Sequence, residues 1–315
     1  MEPVSTTFKR SSGLASRNDS RSEWNSASQV ENLIEIEDLV VKFGDFRAVD
    51  GVNIHVRRGE MFAFLGPNGA GKSTTIRVLI GCQKPTSGKV RVAGHLLPDD
   101  LAKVKKEFGY VPDTDNHMDE FTGRENLQLF ADLYEIVDRN RIDAVLAQLE
   151  LSEAADVAVK NYSKGMRRKL LIAREILHRP KILFLDEPTA NLDLHSTAVV
   201  RKMLRELAGE GVTIFLTTHD MEEVEEICDR AAILCRGKLV ALDTPSSFIA
   251  RYSESRVSIQ FEENGEQVRK EICLDDPGGR DLLLEYVATR ENLRLRSQDF
   301  HFDDVFLKIT GQAYA

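Results

Sequence analysis

From Leu33 to Val56 apolar and polar residues alternate with the period of two that half-buried strands show, and Gly44-Asp45 and Asp50-Gly51 supply turn signals inside the stretch. Lys89–Ala93 repeats the alternation, so an antiparallel patch is expected near the start of the chain. Four later runs differ. Glu60–Leu65, Lys181–Asp186, Val212–Thr217 and Arg230–Cys235 are almost continuously apolar, as strands covered on both faces of a parallel sheet are. Apolar positions recur with helical spacing over Lys72–Ile80, Glu125–Tyr134, Ile142–Leu149, Lys164–Leu177 and Ser196–Leu207, with Gly81 and Pro180 as stops. Strands alternating with helices predict an α/β core.

The pattern changes after Pro245. Val257, Ile259 and Phe261 alternate, Glu263-Asn264-Gly265-Glu266 supplies a turn, and Val268–Leu274 reads as the returning strand. A helix over Arg280–Thr289, a strand near Leu293–Ser297 and a helix near Asp303–Ile309 complete a small α+β appendage without a catalytic signature. The first thirty or so residues are serine-rich with scattered charges and no apolar period, which predicts a disordered tail. The expected division is therefore a tail over 1–31, an α/β domain over 32–244 with a helical insert at about 115–178, and an appendage over 245–315.

Composition narrows the class only slightly: of 315 residues, 42% are hydrophobic and 30% charged, as in ordinary globular chains. Lys and Arg number 42 against 51 Asp and Glu, and the net charge of −9 disfavours wholesale binding to a nucleic-acid backbone. No run of apolar residues is long enough to span a membrane. Cys82, Cys228, Cys235 and Cys273 show no C-x-x-C spacing and are expected to be buried thiols in a reducing compartment.

Chemistry concentrates in four places. Gly66-Pro67-Asn68-Gly69-Ala70-Gly71-Lys72-Ser73-Thr74 fits the phosphate-binding pattern G-x-x-x-x-G-K-[ST] between a buried strand and a helix. There, backbone N–H groups and the positive helix terminus face phosphate oxygens, Lys72 reaches the terminal phosphates and Ser73 offers a hydroxyl to Mg²⁺. Ile182-Leu183-Phe184-Leu185-Asp186-Glu187 ends a second buried strand in two carboxylates, Asp186 suited to a Mg²⁺ shell and Glu187 to a general base. Tyr162-Ser163-Lys164-Gly165-Met166-Arg167-Arg168-Lys169 opens a helix that Ser163 can cap, with the three basic residues expected on a solvated face. Leu216-Thr217-Thr218-His219-Asp220 closes a third buried strand on a histidine within reach of a γ-phosphate, and the acids from Asp220 to Glu226 are expected to form a solvated helix start favoured by the dipole.

In this order and spacing the four elements resemble the ATP-binding cassette family, the nucleotide-driven motor subunits of membrane transporters, over roughly Leu33 to Leu242. The resemblance implies a P-loop NTPase core with an antiparallel β subdomain and a helical insert. By it, Gly66–Thr74 is the Walker A loop, with Gly66, Asn68, Gly69, Gly71, Lys72, Ser73 and Thr74 holding ATP. Phe43 stands where an aromatic stacks on adenine, with Phe46 a second candidate. Asp186 and Glu187 are the Walker B pair, Ser163 and Gly165 belong to the signature loop, Asp193 to the loop that communicates across a dimer, and His219 is the switch histidine.

The resemblance further implies that two cassettes, a homodimer or a pair with a sister chain, sandwich ATP head to tail, each Walker A facing the other chain's signature helix. Such a pair would sit peripherally on the cytoplasmic face of a membrane, docked on a separate transmembrane permease, and the closing segment from Phe302 to Gly311 resembles an exporter subgroup. The competing class is a soluble ATPase of the same fold acting on nucleic acid or the ribosome; the acidic balance and single Walker A disfavour it, and no direct nucleic-acid contact is expected. Three positions depart from the family. Asp113 replaces a glutamine and can accept bonds or approach Mg²⁺ but cannot donate as an amide does. Lys164 replaces a glycine and Met166 a glutamine of the signature.

Overall fold

The structure, a computed structural model, describes residues 31–311 except 139, 264, 265, 291 and 299. The tail expected over 1–31 and the tip of the turn at Asn264-Gly265 thus lie outside the described residues, Glu31 apart. Strands β1 (Asn32–Phe43) and β2 (Phe46–Arg57) pair antiparallel around Gly44-Asp45 and lead into β3 (Met61–Leu65) and α1 (Lys72–Leu79). β4 (Ser87–Val92), β5 (His95–Leu97), a short α2 (Leu101–Val104) and β6 (Phe108–Val111) follow. Three helices come next: α3 (Gly123–Leu133), α4 (Asn140–Gln148) and α5 (Lys164–Ile176). The chain then alternates through β7 (Ile182–Asp186), α6 (Leu194–Gly209), β8 (Thr213–Thr217), α7 (Met221–Ile227), β9 (Arg230–Cys235) and β10 (Lys238–Asp243). It closes with α8 (Pro245–Tyr252), β11 (Arg256–Glu263), β12 (Glu266–Cys273), α9 (Gly279–Thr289), β13 (Arg294–Gln298) and α10 (Phe302–Thr310).

The central sheet runs β10-β9-β3-β8-β7-β6, parallel except for the β10 edge. Its side chains alternate between two cores. Phe62, Phe64, Phe184, Phe215, Ala232 and Leu234 face α1 and the antiparallel sheet β2-β1-β4-β5, while Ala63, Leu65, Leu183, Leu185, Ile214 and Leu216 face the helices of the insert and α6. Phe215 lies 5.6, 5.3 and 5.8 Å, ring centre to ring centre, from Phe62, Phe64 and Phe184. Such contacts add about 0.5–1.5 kcal/mol each beyond burial. They lock together β3, β8 and β7, the strands whose carboxyl ends carry the candidate chemistry, and ligands of open α/β sheets gather at such ends.

Several expectations need correction. Asp50-Gly51 is not a turn: Leu39 pairs with Val52 and Val40 with Asp50, leaving Gly51 (φ 71°) as a bulge inside β2. Glycine takes the left-handed conformation without ending the ladder, so the turn signal was real but local. Cys82 is exposed and Cys235 and Cys273 are half-buried; Cys228 alone is buried. β6 escapes the sequence pattern because it is four residues long and carries Gly109, where a Cβ would lie 2.6 Å from the Glu175 carbonyl of α5.

After Pro245 the chain serves two cores. Phe248 of α8 and Phe302, Val305 and Phe306 of α10 are buried in the same core as α5, α6 and α7. β12-β11-β13 instead forms its own sheet over Ile259, Phe261 and Ile272, with α9 against β12. Among the described residues no helix is long and apolar enough to cross a membrane.

Candidate active site

Beyond Leu65 the chain turns through Gly66–Gly71 into α1, and the space there accepts only glycine at two positions. A Cβ on Gly66 would lie 2.4 Å from the Leu234 carbonyl oxygen, and one on Gly71 (φ 109°) 2.5 Å from that of Ala48. Gly69 (φ 78°) faces open space, so its backbone sign alone calls for glycine. Phe43, Phe46, Asn68, Gly69, Gly71, Lys72, Ser73 and Thr74 line one cavity of about 260 Å³. Phe43 and Phe46 are 51% and 64% exposed, leaving ring surface at the cavity mouth for a flat ligand ring. The Lys72 ammonium donates to the carbonyls of Gly66 and Pro67. Burial holds its pKa below the usual lysine value, against the opposing pull of Glu187 and Asp186, so a phosphate arriving there would favour the charged form.

The two carboxylates follow from strand register. Asp186 ends β7 opposite Thr217 of β8, and the Thr217 hydroxyl donates to Asp186 Oδ1 at 2.5 Å. Glu187, the next residue, has a left-handed backbone (φ 52°), a conformation costing a non-glycine residue about 1–3 kcal/mol unless its surroundings impose it. Its N–H donates to the Thr217 carbonyl at 3.0 Å. Its carboxylate Oε2 lies 2.7 Å from His219 Nδ1 and accepts the His219 backbone N–H at 3.2 Å. Glu187 and His219 face a second cleft, of about 670 Å³, with Asp113, Lys164 and Arg168 on its walls. Burial together with Asp186 and Asp113 pushes the Tyr110 hydroxyl up to about 12, so Asp113 stands in the same electrostatic neighbourhood as Asp186.

Ser163, Gly165 and Asp193 form a third group. The Ser163 hydroxyl accepts the Met166 N–H at 3.2 Å and starts α5. Asp193 caps α6 by accepting from the Ser196 N–H and hydroxyl at 2.9 and 2.8 Å. A Cβ on Gly165 would lie 2.6 Å from Ser196 Oγ and 3.2 Å from its Cβ, so the two helix starts meet closely and a side chain at 165 would displace the Ser196 hydroxyl from Asp193. Neither Ser163 nor Gly165 lines the cavity of Gly69–Thr74.

Sequence reasoning misplaced two charged groups. Arg168 and Lys169 are buried, at 7% and 5% exposure, rather than on a solvated face, and Arg167 is partly buried against Asp115 and Asp119. The signal was present: the unbroken apolar run Leu170–Ala173 marks a helix covered all round, where a cation must find carbonyl acceptors. Likewise Glu223 is fully buried and bonded to the Thr189 hydroxyl at 3.0 Å, while Asp220 and Glu226 each bond Arg201 at 2.6 Å. Of these acids only Glu223 is enclosed; Glu222 and Glu226 are exposed and Asp220 and Glu225 half-buried, so the solvated helix start holds apart from Glu223.

Among the described residues no cluster of three or more His, Cys, Asp or Glu is arranged to hold a metal ion. Ser73 and Asp186 offer hydroxyl and carboxylate oxygens, the donor set of a cation that takes its remaining ligands from water and substrate phosphates, which is how Mg²⁺ is held in nucleotide sites.

The family model for ABC transporter matches residues 49–190. A Nod factor export ATP-binding protein I of Rhizobium sp. (strain N33) is 36% identical over 296 residues, 89% of this chain and 97% of that one. A fluoroquinolones export ATP-binding protein of Mycobacterium tuberculosis is 35% identical over 274 residues, 84% of this chain and 88% of that one. A solved ATP-binding subunit of an ABC transporter, 31% identical, superposes with a TM-score of 0.65 over 70% of this chain and 93% of its own. On this shared sequence and fold, the chain belongs to the ABC transporter family, as an ATP-binding subunit with ATPase activity coupled to transport.

Proposed function

We propose that the chain is the peripheral motor of an export system, in which ATP closes a head-to-tail pair of cassettes and hydrolysis reopens it, moving a separate transmembrane subunit. The observation that carries this reading is the separation of the half-sites. One copy has a phosphate loop with open aromatic rings beside it, while the start of α5 at Ser163–Gly165 stands outside that cavity, with Lys164 on the wall of the Glu187–His219 cleft. Unsatisfied N–H groups and positive potential at that helix start suit the γ-phosphate of a nucleotide held by a second copy or a sister cassette. Loss of that phosphate removes the contact. Relatives named as export proteins support the direction of transport.

In this reading Phe43, with Phe46 beside it, stacks on adenine, and the backbone of Gly66–Gly71 with Lys72, Ser73 and Thr74 holds the phosphates. Ser73 and Asp186 would hold Mg²⁺, with Asp113 a further candidate; the cation supplies charge neutralisation on the phosphate oxygens. Glu187 takes a proton from the attacking water, His219 orients that carboxylate through their 2.7 Å bond, and Asp193 fixes the start of α6 beside the signature turn. The helical insert and the Asp113 loop form the surface that docks on the membrane subunit.

The test is affinity capture of a tagged Glu187→Gln variant, loaded with ATP, from detergent-solubilised native membranes. The expected result is a stoichiometric multi-span partner identified by mass spectrometry. Recovery of ribosomal or nucleic-acid partners alone, with membrane protein demonstrably solubilised, would overturn the proposal.

A further inference from the structure

We propose that Arg168 is a positioning residue for hydrolysis, one that fixes from within α5 the main chain carrying the Glu187 carboxylate and ties it to the Asp113 loop. The inference rests on the reading of Glu187 as the base. A guanidinium has five N–H donors in a rigid planar fork and no acceptor. The hydrogen bonds of Arg168 all run to main-chain carbonyls: Nε to Pro188 at 3.0 Å, Nη2 to Glu187 at 2.6 Å and to Asp186, and Nη1 to Pro112. Three consecutive carbonyls of the turn after β7 are thus held by one side chain, together with the carbonyl that precedes Asp113.

This arrangement accounts for the left-handed backbone of Glu187. A non-glycine residue stays in that region only when its surroundings over-determine it. Here the Glu187 N–H is held by Thr217 on β8 and its carbonyl by Arg168 on α5. The clamp has a sheet side and a helix side. Because Arg168 lies less than two turns from Ser163 and Gly165, a shift of α5 against the sheet is transmitted to the peptide planes on both sides of Glu187. Through Pro112 the same shift reaches the Asp113 loop. A lysine offers a compact ammonium with three donors and cannot span four carbonyls in one plane.

The experiment measures kcat and KM for MgATP, equilibrium nucleotide binding and thermal stability for the full-length protein, Arg168→Gln, Arg168→Lys, Glu187→Gln and the two double variants. Arg168→Gln is expected to lower kcat at least about tenfold with KM and nucleotide binding within about twofold, the pattern of an interaction that serves the transition state. Arg168→Lys, although it keeps the charge, is expected to remain at least about fivefold low. In the Glu187→Gln background each Arg168 substitution is expected to change the residual rate less than about twofold, since the group it positions is gone.

Losses that multiply in the double variants, or a kcat within twofold of the parent in Arg168→Gln, would overturn the proposal and leave Arg168 a structural staple. If Arg168→Gln does not fold, Arg168→Lys and its double variant decide on the same criteria. Unchanged turnover in Glu187→Gln alone would overturn the assignment of the base, and with it this inference, and is distinguished by needing no Arg168 variant.

Discussion

Glu187→Gln is expected to cut MgATP turnover at least about a hundredfold, the lower end of what a positioned general base contributes and equivalent to about 2.7 kcal/mol of barrier. Glutamine keeps the length and shape of the side chain and an oxygen that accepts the His219 backbone N–H. It lacks a basic oxygen for the water proton. Nucleotide affinity is expected to stay within about threefold, because residue 187 does not line the cavity of Asn68–Thr74. Phosphate release at saturating MgATP, paired with equilibrium binding of the same preparation, checks both halves of the statement. A variant that turns over at the parent rate would require another base.

Phe302→Ala is expected to destabilise the protein by about 3–5 kcal/mol, although residue 302 begins the last helix of the described chain. The ring is fully buried, 5.6 Å edge-on from Phe248, in the core that also holds Leu170, Leu204 and Val224. Its N–H donates to Glu225 of α7 at 2.6 Å, so α10 is joined to the helix that follows His219. Against a typical total of about 5–15 kcal/mol this is a large loss. Urea unfolding followed by tryptophan-independent circular dichroism measures it. The control is Leu307→Ala, at a position 46% exposed on the same helix, where the loss should be far smaller. Equal shifts in the two variants would show that α10 is not part of the main core.

That core explains what the sequence could and could not reveal. The phosphate loop was legible because its glycines, lysine and hydroxyls are fixed by local backbone geometry and contiguous chemistry. The strands ending at Leu65, Asp186 and Thr217 were legible because burial on both faces leaves unbroken apolar runs. What escaped depends on distance across the fold. Arg168 reads as a surface charge until the carbonyls of Pro112 and Pro188, 56 and 20 positions away, are seen around it. Glu223 reads as a solvated acid at a helix start until Thr189 and Arg201 enclose it. Of α8 and α10 only the second was expected from the sequence, and only the tertiary structure shows that the apolar face of each covers the main core rather than the small sheet.

The measurement that bears most directly on the account is the nucleotide-dependent association state of Glu187→Gln, followed by sedimentation velocity without nucleotide, with MgADP and with MgATP. If each copy supplies half of the site, with the phosphate loop on one and the Ser163 helix start on the other, MgATP converts monomer to dimer and MgADP does not. Monomer at saturating MgATP, with binding of the nucleotide verified in the same sample, would contradict the account.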